Sequence, residues 1–314
     1  MAELDLLRSL PLEVSEPSAQ VRGRAKTRLL RHVQSAPATR RRLLLAAVAL
    51  LGAAAGAGAL IGVGSHDHGN ASAAPALRRA ANVARRQAPP PPLTPGHFRY
   101  TKSVQAFLVI DGDRNGWVAL GPKVREIWIG PTGGLLRERS GTAQFLSARD
   151  REHWIAAGRP QVNPPVTVEK LPPARPLDLP KDPDALYATL YARVSGYGYD
   201  ANAEMLGQIG DALRETDTPP SVRASLYEVA ARIPGIELVG HVLDRFGRRG
   251  VAVAYSDTTR HQRQELIFDP KTSALLEEDY VALDGNEFGY PAGTNIGYAT
   301  YVASAVVDRL GARP

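Results

Sequence analysis

Residues 236–256 read IELVGHVLDRFGRRGVAVAYS. Two runs rich in branched apolar residues flank a short stretch that holds Gly247 and Gly250. That is the pattern of two strands and the turn between them. The same pattern repeats downstream. QELIFD (264–269) and LLEEDYVAL (275–283) read as strands, with Asp269-Pro270-Lys271 in the turn, and a last strand is expected from Tyr298 to Val307. Short turns join antiparallel neighbours, so an antiparallel sheet is expected here.

Upstream of this stretch the period changes from two to near four. Asp182-Pro183 reads as a cap and first-turn pair, and Leu186, Leu190 and Val194 come next on one helical face. Met205, Ile209 and Leu213 predict a second helix. Val222, Leu226, Val229 and Ile233 predict a third, stopped by Pro234-Gly235. Further upstream, Phe98, Tyr100, Val104, Ala106, Leu108 and Ile110 alternate with mostly polar residues, as in a half-buried strand. DGDRNG (111–116) turns the chain, WVALG (117–121) and VREIWIG (124–130) continue it as strands, and LLRERSG (135–141) lies beyond the turn at 131–134. A proline-rich stretch at 160–183 separates this meander from the helices. Strands, then helices, then strands is the order of an α+β fold. The expected class is therefore α+β: one transmembrane helix, then an extracytoplasmic domain with a mainly antiparallel sheet and about three helices.

The transmembrane expectation rests on TRRRLLLAAVALLG (39–52) and the apolar residues that continue it. Leu43 to Val63 carries no charge and no proline. A helix of that length spans about 32 Å, close to the hydrocarbon core of a bilayer. Its nine strongly apolar residues favour insertion by roughly 3 to 5 kcal/mol. Arg40, Arg41 and Arg42 stand at its start with Arg24, Lys26, Arg28 and Arg31 before them, whereas only Arg78 and Arg79 are basic in the 20 residues after it. The positive-inside rule then places the N-terminus in the cytoplasm and residues 64–314 outside. Two rivals stand beside the anchor. A buried core helix would show a polar stripe, which this stretch lacks. A cleavable export signal would use the twin-arginine-like start and the small-residue site Ala71-Ser72-Ala73. Gly52, Gly56, Gly58 and Gly62 stand in two Gly-x-x-x-Gly spacings that would let a second copy pack closely, as a homodimer.

The remaining chain divides around the anchor. Residues 1–42 form a cytoplasmic basic tail with nine Lys/Arg and four Asp/Glu. Within it Val21, Ala25, Leu29 and Val33 recur every four residues among arginines, giving a short basic amphipathic helix. Such a helix suits the anionic inner leaflet, or docks a cytoplasmic partner through its apolar stripe. Residues 64–97 are rich in Ala, Pro and Arg, include PPPP at 89–92, and read as a semi-extended spacer. Residues 98–314 form the large domain, with 25 basic and 27 acidic side chains. The excess of positive charge therefore belongs to the tail and spacer, and no direct nucleic-acid partner is expected.

Chemistry is sparse. Cysteine is absent, which excludes disulfides, thiolate metal sites and cysteine nucleophiles. Asp111, Asp113, Asn115 and Gly116 match the opening of a calcium loop. Position twelve, which should be a bidentate glutamate, is Pro122, and the same residues suit a hairpin turn. His66-Asp67-His68 lies in the spacer, which does not hold a ligand geometry. His241 falls in a strand. Glu277-Glu278-Asp279 also falls in a strand, where neighbours face opposite sides and serve poorly as an acid–base pair. Tyr187, Tyr191, Tyr197 and Tyr199 cluster in sequence, as core packing or a ligand groove would have them. No cofactor motif or catalytic constellation is present, so a non-enzymatic protein is expected.

The opening Glu3-Leu4-Asp5-Leu6-Leu7-Arg8, the Arg40–Arg42 run with its anchor, and the C-terminal PGIELVG, DRFGRRGVAVAY and ELIFDPKT together resemble a family of uncharacterised single-pass membrane proteins of actinobacteria. The likeness spans nearly the whole chain. Members are often encoded beside extracytoplasmic-function sigma factors, so the resemblance implies an anti-sigma-like or signal-relaying role with a cytoplasmic sigma factor as the tail's partner. The chain lacks the His/Cys zinc motif of the common anti-sigma domain. The second reading is a membrane-tethered extracytoplasmic module that binds a ligand or a lipid.

Overall fold

The structure is a computed structural model that describes residues 72–90, 92–111, 116–174, 178–196, 200–214 and 218–314. The expected membrane helix at 43–63, the tail with Val21, Ala25, Leu29 and Val33, the arginines 40–42 and the glycines 52, 56, 58 and 62 all lie outside them. Among the described residues no helix is long and apolar enough to cross a membrane.

Nine strands form one sheet in the order β4-β3-β2-β1-β9-β8-β7-β6-β5. The strands are β1 (Phe98–Asp111), β2 (Trp117–Gly130), β3 (Gly133–Ser140), β4 (Val166–Leu171), β5 (Glu237–Leu243), β6 (Arg249–Asp257), β7 (Gln262–Phe268), β8 (Leu275–Ala282) and β9 (Asn295–Val307). Five helices accompany them among the described residues: α1 (Ala74–Arg86), α2 (Ala148–Ala156), α3 (Pro183–Val194), α4 (Ala201–Leu213) and α5 (Pro220–Ala230). The chain forms two compact units. The first holds described residues of 107–124 and 137–169, and the second those of 72–106, 125–136 and 170–314.

This corrects the expected class in three places. Helices among the described residues number five rather than about three, and the sheet is a single one of nine strands. The first unexpected helix, α1, falls inside 64–97, the stretch read as a spacer. Its Ala/Pro/Arg composition hid it. The proline, Pro75, sits in the first turn, where the missing N–H costs nothing, and PPPP begins only after the helix has ended. Between them alanine, the best helix former, fills the stretch. Leu77, Ala80, Ala81 and Ala84 make one buried face against α5. The second unexpected helix, α2, is capped by Ser147, whose Oγ accepts from the Asp150 amide at 3.1 Å. Asp150 in turn accepts from the Val118 amide on β2 at 3.0 Å. The Ser147 cap is the local signal of α2, while its apolar periodicity is weak. The third correction is β2. It runs unbroken through Gly121-Pro122-Lys123, where two strands were expected. A Cβ at Gly121 would meet the Asn163 side-chain amide, which would have to shift.

The second unit keeps closely to the expected plan. Asp182 caps α3 by accepting from the amides of Asp184 and Ala185 at 3.1 and 2.9 Å. Asp200 caps α4 in the same way. Strands β5 to β9 pair antiparallel in sequence order. Three of their hairpins open on an aspartate that accepts from amides in the turn: Asp244, Asp257 and Asp269. Such Asx turns hold the chain reversal locally. The core lies between one face of this sheet and the helices. Leu186, Leu190, Met205, Leu206, Ile209, Leu226 and Val229 meet Val251, Val253, Leu266 and Phe268 there. Burying a side chain of that size stabilises the fold by about 1.5 to 3 kcal/mol.

Candidate anion-binding cleft

Strand β8 carries three successive acids, Glu277, Glu278 and Asp279, through the middle of the second unit. Period two separates them. Glu278 faces the helices. It is fully buried, and its carboxylate accepts from Arg214 Nε and Nη2 at 3.0 and 2.7 Å and from the Tyr301 hydroxyl at 2.6 Å. The two parallel bonds from one guanidinium are the strong bidentate form. Burial alone would lower the Arg214 pKa, but the Glu278 charge overrides it and the pKa stands well above its ordinary value. Helix α4 comes close enough for this pairing because residue 210 is glycine. A Cβ there would lie 2.9 Å from Glu278 Oε2.

Glu277 and Asp279 face the other side of the sheet. Glu277 Oε2 accepts from the Thr300 hydroxyl at 2.6 Å and from the Arg245 amide at 3.0 Å. Asp279 accepts from Arg245 Nη2 at 2.6 Å and Asn295 Nδ2 at 2.7 Å. The Arg245 guanidinium also lies 3.9 Å from the centre of the Tyr298 ring. One guanidinium serves two carboxyls here. Burial, then the neighbouring Asp279 charge, pushes Glu277 up to about 8.

Arg214 also opens onto a cleft of about 400 Å³ that lies wholly in the second unit. Arg99, Arg214, Arg223 and Arg248 line it, and no acidic residue does so among the described residues. They arrive from β1, the end of α4, α5 and the β5–β6 turn. Leu275, Leu276, Val302 and Ala303 supply an apolar wall, with Thr101 and Ser304 beside it. Acids outside the lining balance two of these arginines. Glu278 and Asp211 hold Arg214, and Asp244 accepts from Arg248 Nε at 2.5 Å. A positive, partly apolar concavity strengthens attraction for an anion, because low-dielectric walls concentrate the field.

Other expected sites behave differently. Asp111 and Gly116 bound the calcium-like loop, whose residues 112–115 lie outside the described ones. The Gly116 carbonyl lies 3.2 Å from His153 Nδ1. Among the described residues no three His, Asp or Glu gather as metal ligands would. His241 is exposed on β5. Tyr187 and Tyr191 stack with ring centres 6.0 Å apart; Tyr187 packs on the core and Tyr191 is exposed. Tyr197 and Tyr199 lie outside the described residues. The facing of the three acids agrees with the period-two reading. The four arginines escape a reading by sequence, since they are spread over 150 positions and no local pattern links Arg99 to Arg248.

No family model matches the chain, and no curated protein does. Among solved structures, one that it matches is the crystal structure of MucB in complex with MucA(peri). The two are 15% identical, the match covers 77% of this chain and 57% of that one, and the TM-score is 0.26. The chain thus spans little more than half of that protein, and at this TM-score the likeness carries no functional argument.

Proposed function

We propose that this chain is a membrane-tethered binding protein whose large C-terminal part takes up an anionic ligand outside the cytoplasm. The observation that carries the reading is the cleft with four arginines and no acidic residue among the described residues that line it. The tether and its orientation rest on the uncharged stretch 43–63 and the arginines before it. The test is thermal denaturation of the full chain in detergent micelles against anions and neutral analogues of equal size. Stabilisation by anions alone, weakened by salt, supports the reading. Equal stabilisation by the neutral analogues overturns it.

A second reading concerns the other end. The apolar stripe Val21, Ala25, Leu29 and Val33 in a basic tail favours docking of a cytoplasmic protein, and the family resemblance makes a sigma factor the first candidate. Ligand capture outside and partner binding inside would then be two halves of one signalling protein. Pull-down from membranes with the intact chain tests this. Recovery of a sigma factor that is lost on scrambling residues 18–38 at constant charge supports it. Unchanged recovery after scrambling removes the stripe from the argument.

A further inference from the structure

The donors that the fold leaves over narrow the ligand's chemistry, given the anion-binding reading proposed for this cleft. Arg214 spends Nε and Nη2 on Glu278. Arg248 spends Nε on Asp244 and Nη2 on the Leu276 carbonyl at 3.2 Å, which leaves Nη1. The Thr272 hydroxyl goes to Asp269, the Thr218 hydroxyl to the Ala212 carbonyl and the Tyr301 hydroxyl to Glu278. Two groups stand apart. The guanidinium of Arg223, a half-buried residue on α5, hydrogen-bonds no described residue, and neither does the hydroxyl of Thr101, which is 7% exposed on β1. A full guanidinium fork, one further Nη and a hydroxyl therefore line one concavity as donors, with no acidic residue beside them among the described ones.

A carboxylate offers two oxygens in one plane. A phosphate group offers three or four, tetrahedrally arranged, and carries up to two charges near neutral pH. We infer that the cleft is a phosphate site, with Arg223 as the primary contact, Arg248 Nη1 and Thr101 as flanking donors, and Arg214 as a fixed charge held by Glu278. Arg223 offers a fork that is not spent on an internal acid, and the further donors Arg248 Nη1 and Thr101, which a planar carboxylate cannot fill as a tetrahedral, more highly charged phosphate can, set the preference for phosphate. The phosphate is either free or the exposed monoester head of a lipid in the membrane to which the chain is tethered.

The experiment is isothermal titration of the full chain in micelles with inorganic phosphate and, separately, acetate. A second arm uses the chain reconstituted into phosphatidylcholine vesicles with and without phosphatidic acid. The expected result is binding of phosphate at least tenfold tighter than acetate, a loss of tenfold or more in Arg223→Gln, and a smaller loss in Thr101→Val. Both variants should keep the wild-type melting temperature within a few degrees, and Arg223→Lys should restore affinity only in part. Phosphatidic acid that stabilises the reconstituted chain, with free phosphate failing to compete, assigns the site to a lipid head; competition assigns it to the free anion. Acetate binding as tightly as phosphate overturns the phosphate inference and leaves anion binding standing. Arg223→Gln binding phosphate like the wild type overturns the role of Arg223. No response to either anion, in either arm, overturns the cleft as a binding site altogether.

Discussion

The two faces of β8 solve the same problem in opposite ways. On the helix face one fully buried carboxylate, Glu278, takes two bonds from Arg214, which also meets the exposed Asp211 at 2.9 Å, and one from a tyrosine hydroxyl. On the other face two carboxyls, Glu277 and Asp279, share Arg245. In the first arrangement the Glu278 charge holds Arg214 well above its ordinary pKa despite burial. The second leaves a surplus of negative charge in a place with little water, and Glu277 responds by holding its proton to higher pH. For Glu277 burial acts first and the neighbouring Asp279 charge adds to it.

Removing Arg214 tests the helix face and should have the largest effect. Arg214→Ala leaves Glu278 buried without its cation, and the expected loss is about 3 to 5 kcal/mol by urea denaturation. A loss below about 1 kcal/mol would mean that the pair carries little of the packing between α4 and β8.

The other face should respond with the opposite sign. Glu277 has a folded pKa above its ordinary 4.5, so the folded state binds the extra proton. Stability from this group is fully present below about pH 4.5 and declines as pH rises towards 8. Glu277→Gln removes the decline. The variant should gain on the order of 2 kcal/mol over wild type at pH 8 and nothing at pH 4, read from melting curves across that range. Identical pH dependence in the variant and the wild type would break the comparison.

Gly210→Ala places a methyl against Glu278 and should cost about 1 to 2 kcal/mol, because the carboxylate must give way and loosen its fork. Better helix propensity returns about 0.5 to 1 kcal/mol of that, so the net effect in urea is smaller than for Arg214→Ala. A comparably small effect is expected from Thr300→Val. It deletes one hydrogen bond to Glu277, at about 1 kcal/mol, and moves the Glu277 titration further up because that bond favours the charged form. A downward move of the titration midpoint would contradict the geometry of that face.

Much of the second unit was legible from residue order. Asp182-Pro183 caps α3 as expected, the apolar four-residue spacing marks α3 to α5, and the alternation from 236 to 283 marks β5 to β8. These elements carry their own signals because a cap, a stop and a period act over a few residues. Elements with a weaker local signal escaped. In α1 the apolar face is mostly alanine, which buries well but scores weakly, and in α2 the Ser147 cap stands without an apolar period behind it. The cleft escaped because its arginines become neighbours only through packing.

Sequence alone determined that β8 carries three acids with the middle one facing away from its neighbours, since a pleated strand permits nothing else. It also determined where α3 begins, because the Asp182-Pro183 cap signal is local, whereas α5 ends at Ala230, before the Pro234-Gly235 stop. Tertiary structure decided which arginine each acid meets and how deeply each is buried, and for Glu277 that pushes the pKa up. It also decided that Arg99, Arg214, Arg223 and Arg248 line one cleft, a gathering that exists only once β1, α4, α5 and the β5–β6 turn are packed together.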